Sequence, residues 1–263
     1  IISVANKYLD FSRAVYTILK PKSEENPNNA AKLLKVKPIN TVPKIINLKN
    51  GDRLLLYEDK SLPQVYTKIF TLGGIRAENT TDNGIGNLFT DLIGKGSKKY
   101  SKDHIQKIIE DNGADLYGTL GNNTAYFSLD CLSDDFYSLF PILTDSFINP
   151  NFSQADLDEL KRKTYQWIKQ RKDDWFGYCN YEFKKSFFEN HPYGFSKLGE
   201  TEVIEQISLS DIYKYHSKQL NPNSIIVSIF GNFDEKKTIE MVNKELIDIA
   251  LDFKPSEFKK ALP

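Results

Sequence analysis

Asn87 and Asp91 stand four residues apart in the stretch Asn83-Gly84-Ile85-Gly86-Asn87-Leu88-Phe89-Thr90-Asp91-Leu92-Ile93-Gly94-Lys95-Gly96-Ser97. On a helix, residues four apart share a face. At this spacing two imidazoles can share a zinc ion while a glutamate between them deprotonates the metal-bound water. Here the spaced groups are an amide and one carboxylate, weak partners for a metal that prefers His nitrogen and Cys sulfur in a set of three or more. Thr90 carries a hydroxyl that does not ionise near neutral pH, so it cannot act as the base. Ile85, Leu88, Phe89, Leu92 and Ile93 recur at i, i+3, i+4, i+7 and i+8, an apolar stripe that must face a core. Asn87 and Asp91 lie roughly opposite it and read as solvated polar positions.

The remaining metal-capable residues do not supply what is missing. Of the three histidines, His104 falls in the first turn of a helix capped by Ser101 and reads as a surface residue. His191 belongs to a loop and reads as a turn residue. His216 stands beside Tyr213 and Tyr215 on a helix and reads as half-buried or at an interface. None pairs at i+3 or i+4 with another His or Cys. Cys131 and Cys179 make no Cys-x-x-Cys pair and no disulfide framework, and a single bridge between them stays open.

The flanks of the helix carry a resemblance. Gly84 before it and Gly96-Ser97 five positions after Asp91 resemble the borders of the metal helix in the pitrilysin/insulinase family of inverted zincins, whose motif is His-x-x-Glu-His. That alignment needs no gap, and it puts Asn87, Thr90 and Asp91 at the first ligand, the base and the second ligand. The family's further ligand, a glutamate on the next long helix, aligns with Trp167, 76 positions after Asp91, through the stretch Ile168-Lys169-Gln170-Arg171-Lys172-Asp173-Asp174. Trp167 is also in phase with Leu157, Leu160 and Thr164, so it reads as a packed aromatic. His191-Pro192-Tyr193-Gly194 and Gly199-Glu200-Thr201 resemble the loop that follows in the family. The resemblance implies a family repeat that has lost its chemistry, with no zinc in this segment and zinc in a catalytic repeat of the parent protein.

The elements that would position these residues are readable from pattern. Ile45 to Leu48 and Arg53 to Tyr57 flank Asn50-Gly51, a hairpin signal. Strands are expected at 63–72, 115–120, 124–132 and 224–230. Helices are expected from Ser101 to Gly113, over 136–147, from the cap Ser153 to Asp174, over 210–219, and after Asp234 with Ile239, Val242, Leu246 and Ile249 inward. The fold class expected is α+β: a mostly antiparallel sheet covered by helices, as in a mitochondrial processing peptidase-like domain. Residues 1–22 read as the tail of a preceding repeat, 23–40 as a polar linker and 41–263 as the repeat itself.

Composition sets the outer bounds. With 263 residues and 40% hydrophobic content the chain can bury a sizeable core. Thirty-five basic residues balance thirty-five acidic ones, so no overall field draws it to nucleic acid, and no nucleic-acid motif is present. The runs Lys95, Lys98, Lys99, Lys102 and Lys161-Arg162-Lys163 read as solvated surface. No apolar run has membrane-spanning length. The expected role is a non-catalytic domain of a multi-repeat zinc metalloendopeptidase, forming part of a peptide-enclosing chamber. The alternative is a domain of a wholly inactive homologue with a structural or assembly role. Expected partners are other repeats of the same polypeptide, or a catalytic subunit, and a peptide substrate. The compartment is left open; a soluble periplasmic or exported bacterial protein is compatible with the reading.

Overall fold

Alternation decides which face of each strand is buried. In β3 (Gln64–Leu72) the inward residues Val65, Thr67, Ile69 and Thr71 are at most 1% exposed, while Tyr66 and Leu72 on the other face keep 41% and 47%. Period-2 burial of this kind marks a sheet covered on one side. The computed structural model describes residues 42–189, 191–220 and 224–246, which belong to one compact unit. The expected tail at 1–22, the linker at 23–40 and Ile249 lie outside the described residues.

β1 (Lys44–Asn47), β2 (Arg53–Glu58), β3, β4 (Asp115–Leu120), β5 (Thr124–Leu132) and β6 (Ile226–Gly231) form one sheet in the order β1-β2-β6-β3-β5-β4. Every neighbouring pair is antiparallel except β2 with β6, which run parallel in the register Arg53↔Ile226 to Glu58↔Gly231. A parallel pair needs a long crossover, and the helical middle of the chain supplies it. The mostly antiparallel α+β expectation is met.

The helices are α1 (Ile85–Leu92), α2 (Lys102–Asp111), α3 (Phe136–Ile148), α4 (Gln154–Gln170), α5 (Trp175–Phe188), α6 (Thr201–Gln206), α7 (Leu209–Gln219) and α8 (Glu235–Glu245). Short polar side chains start several of them. Ser101, Ser153 and Asp234 each accept a backbone N–H of the first turn, and Ser208 with Asp211 forms a reciprocal capping box at α7. The structure differs from the sequence reading in several places: the α-helix from Ser153 stops at Gln170 and tightens into a 3-10 turn over Arg171–Asp173, the last strand starts at Ile226 rather than 224, and the helices α5 and α6 have no counterpart in that reading. α1 and α3 lie on the inner face of the sheet, where Phe89, Phe127, Phe136, Phe140 and Phe147 are fully buried. The outer face carries an aromatic row instead, with Tyr57 stacked on Phe230 at 5.1 Å and Phe70 against Tyr126 at 5.5 Å.

Candidate functional site

α1 begins without a side-chain cap of its own. Its N-cap is Gly84, held at φ +97°, where a Cβ would stand 2.5 Å from the Ile204 side chain. The missing acceptor comes from upstream: Glu78 receives the backbone N–H of Gly84 at 2.8 Å and of Gly86 at 2.9 Å, and the Asn83 side-chain amide at 2.8 Å. A carboxylate at a helix N-terminus satisfies orphan donors and suits the helix dipole. Glu78 is only 4% exposed. Burial pushes its carboxyl up to about 7, against those three hydrogen bonds, which pull it down. Gly86 allows this approach, since Glu78 Oε1 and the Tyr215 hydroxyl each lie 2.7 Å from where its Cβ would stand.

The helix so anchored packs against β4, α4 and α7. Leu88, Phe89 and Leu92 are 0% exposed, and Phe89 sits in an aromatic cluster with Phe127, Phe152, Tyr215 and His216 at 5.4 to 6.1 Å. The helix ends at Leu92, and Ile93 is buried just beyond it.

The polar positions differ from the solvated surface read in the sequence. Asn87 and Asp91 are half-buried and Thr90 is 1% exposed. The Asn87 amide donates to Asp91 Oδ2 at 3.1 Å and the Thr90 hydroxyl donates to the Asn87 carbonyl at 3.0 Å, so the polar face is satisfied largely within its own turn. Burial raises the Asp91 carboxyl above the ordinary carboxylate range, while Lys95, Asn87 and Lys163 oppose it. Trp167 is a correction in the opposite direction. Leu157, Leu160 and Thr164 are buried as the pattern required, but Trp167 one turn further keeps 43% of its surface. The apolar phase of α4 ends where the core does.

The histidines are placed apart. His104 is exposed and stacks on Tyr100 at 5.6 Å, and His191 Nδ1 accepts the Tyr193 N–H at 3.2 Å in its turn. His216 is buried at 6% rather than half-buried; its Nε2–H donates to the Phe147 carbonyl at 2.7 Å, and burial lowers its pKa. Cys131 is buried and Cys179 exposed, both as free thiols.

Chemically, the face of α1 offers one carboxylate, one amide and a back-bonded hydroxyl. This donor set does not fit zinc, and among the described residues no group of three or more His, Cys, Asp or Glu is arranged to hold a metal ion. No nucleophile and base stand together at this face either. The part sequence reasoning missed is Glu78 as the cap of α1. The readable signal was a glutamate six positions before a glycine N-cap.

The described residues thus form a mostly antiparallel α+β domain with a short core-facing helix whose i, i+4 positions lack the donors that zinc prefers. Residues 53–199 match the family described as Insulinase (Peptidase family M16), and the chain belongs to that family. It is 22% identical over 193 residues to the Helicobacter pylori protein named non-peptidase homolog YmxG, covering 73% of this chain and 45% of that protein. It is 24% identical over 225 residues to the probable mitochondrial-processing peptidase subunit beta of Schizosaccharomyces pombe, covering 82% and 48%. A solved peptidase M16 inactive domain from Pseudomonas fluorescens superposes with a TM-score of 0.77 at 18% identity, over 85% of this chain and 54% of that one. The chain thus spans about half the length of the relatives it matches. No helix among the described residues is long and apolar enough to cross a membrane.

Proposed function

We propose that this chain is a non-catalytic insulinase-type domain that forms part of the wall of a peptide-enclosing chamber. Residues 1–22 are then the tail of a preceding repeat, 23–40 a linker and 41–263 the repeat. Zinc and hydrolysis belong to another repeat of the same polypeptide or to a catalytic partner subunit. The observation that supports this reading is the face of α1: Asn87, Thr90 and Asp91, which the sequence resemblance aligns with the family's chemical positions, bond among themselves on a helix whose other side is packed into the core. Trp167 takes the place of the further ligand. A wall role also suits β4, which among the described residues is an edge strand paired only with β5 and lies along α1. An extended peptide can add to such an edge through backbone hydrogen bonds.

A second reading is favoured by the likeness to a protein named as a non-peptidase homolog: a domain of a wholly inactive protein with a structural or assembly role. Peptidase assays on the full-length protein, with and without chelator, separate the two. Chelator-sensitive cleavage by the full-length protein and none by the 263-residue chain is the outcome expected here. No cleavage by either would favour the second reading, and zinc-dependent cleavage by the chain alone would overturn both.

A further inference from the structure

A cleft of about 230 Å³ opens between α5 and the loop over 193–197. Three cations line it, Arg171, Lys184 and Lys197, together with the neutral hydrogen-bonding groups Asn180, Tyr193 and Ser196. No Asp or Glu is among its described lining residues. Arg171 is fixed in place: its guanidinium donates to Ser196 Oγ at 3.1 Å and to the Gly199 carbonyl at 3.4 Å, and stacks 4.2 Å over the Tyr181 ring. One carboxylate, Glu200, approaches it at 4.0 Å. Glu200 also accepts the Tyr181 hydroxyl at 2.7 Å and lines the neighbouring cleft. Lys184 and Lys197 are in no ion pair with a described residue.

Like charges gathered on a concave wall repel one another, and the concavity focuses their field on whatever enters. The arrangement is stabilised when an anion does. A planar guanidinium already locked by neighbours loses little freedom on binding one. The volume sits below the range of roughly 300–1,000 Å³ that encloses drug-sized ligands, which suits a single anionic group rather than a whole cofactor.

We propose that this cleft binds an oxyanion, either a carboxylate of a peptide or a free phosphate, with Lys184 and Lys197 as its charge partners and Arg171 as the fixed donor behind them. The inference does not depend on the chamber reading, because it needs only the charges and shape of the cleft.

Calorimetric titration of the 263-residue chain at low salt tests it with three probes: inorganic phosphate, a short apolar peptide with a free C-terminal carboxylate, and the same peptide amidated. The expected result is one site per chain for phosphate or the free-acid peptide, weakened about tenfold or more in the Lys184→Ala/Lys197→Ala variant, as loss of charge-assisted hydrogen bonds predicts. The Lys184→Arg/Lys197→Arg variant should keep binding. Both lysines are exposed, so an unchanged melt of each variant shows that the fold is intact. Preference for the free-acid peptide over its amide identifies a peptide carboxylate as the source, and equal response of the two peptides beside a phosphate site identifies the free anion. Failure of both phosphate and free-acid peptide to bind would overturn the assignment, as would binding untouched by the double alanine variant.

Discussion

Glu78 combines two roles that pull its protonation in opposite directions. As the cap of α1 it accepts three N–H groups and is favoured charged; as a residue 4% exposed beside Asp82 it is favoured neutral, and burial wins, raising its carboxyl to about 7. A folded-state pKa above the unfolded one means that the folded state holds the proton between about pH 4.5 and pH 7 while the unfolded state has lost it. Stability from this group is therefore fully present below pH 4.5 and falls as pH rises to 7, by an amount on the order of 3 kcal/mol. Glu78→Gln removes that titration. The stability difference between wild type and Glu78→Gln, measured by urea melts, should shift by that order against the wild type from pH 4.5 to 7; a difference constant with pH would show that burial does not govern this carboxyl. Asp91 poses a milder case. Burial disfavours its charge, and Lys95, Asn87 and Lys163 only offset this. Asp91→Asn should leave the melting temperature at pH 7 unchanged or slightly higher, whereas a fall beyond roughly 3 °C, about 1 kcal/mol for a domain of this size, would reveal a structural task for the carboxylate. The spacing of Asn87, Thr90 and Asp91 was readable in the sequence, but the half-burial of Asn87 and Asp91 and the full burial of Thr90 were not. Periodicity tells which side of α1 faces the sheet, but not that α4 comes to lie over the other side.

Among the elements, those with strong local signals were legible nearly to the residue. β4 and β5 are alternating runs across Gly121-Asn122-Asn123, and the helices at 102, 154 and 235 start after the capping Ser101, Ser153 and Asp234. The ends were less so. α4 gives way to a 3-10 turn at Arg171, where the chain must turn into α5 and no glycine or proline announces it. α5 itself buries no residue and leaves Trp175, Phe176, Phe183 and Phe187 between 59% and 80% exposed. Apolar content alone would have placed such a helix in the core. This contrast gives paired expectations. Leu88→Ala in α1 removes a side chain that is 0% exposed and should cost about 2–5 kcal/mol. Trp175→Ser in α5 should stay within about 0.5 kcal/mol. Thermal melts of the two variants decide whether the stability of the domain resides in the α1 layer, and equal losses would contradict that.

At the scale of the whole molecule, the fold of an insulinase-family domain persists around a helix face that does not fit zinc. The two sides of α1 differ in how they pack. The core side, with Leu88, Phe89 and Leu92 fully buried, packs against the sheet and α7, while Asn87 and Asp91 on the other side are half-buried. If Asn87, Thr90, Asp91 and Trp167 hold the family's four chemical positions, the scaffold should accept the lost groups back. Asn87 and Asp91 already approach within 3.1 Å through their side chains, so imidazoles at both positions can converge on one ion. α4, which carries Trp167, packs against α1, and Trp167 is exposed enough for replacement without opening the core. The variant Asn87→His/Thr90→Glu/Asp91→His/Trp167→Glu is therefore expected to fold and to retain about one zinc per chain through dialysis, where the wild type retains none. Metal analysis beside a thermal melt in the presence and absence of chelator measures this. A folded variant that keeps no zinc would place the register of α1 or the partner position on α4 elsewhere, and with it the account of what this domain has lost.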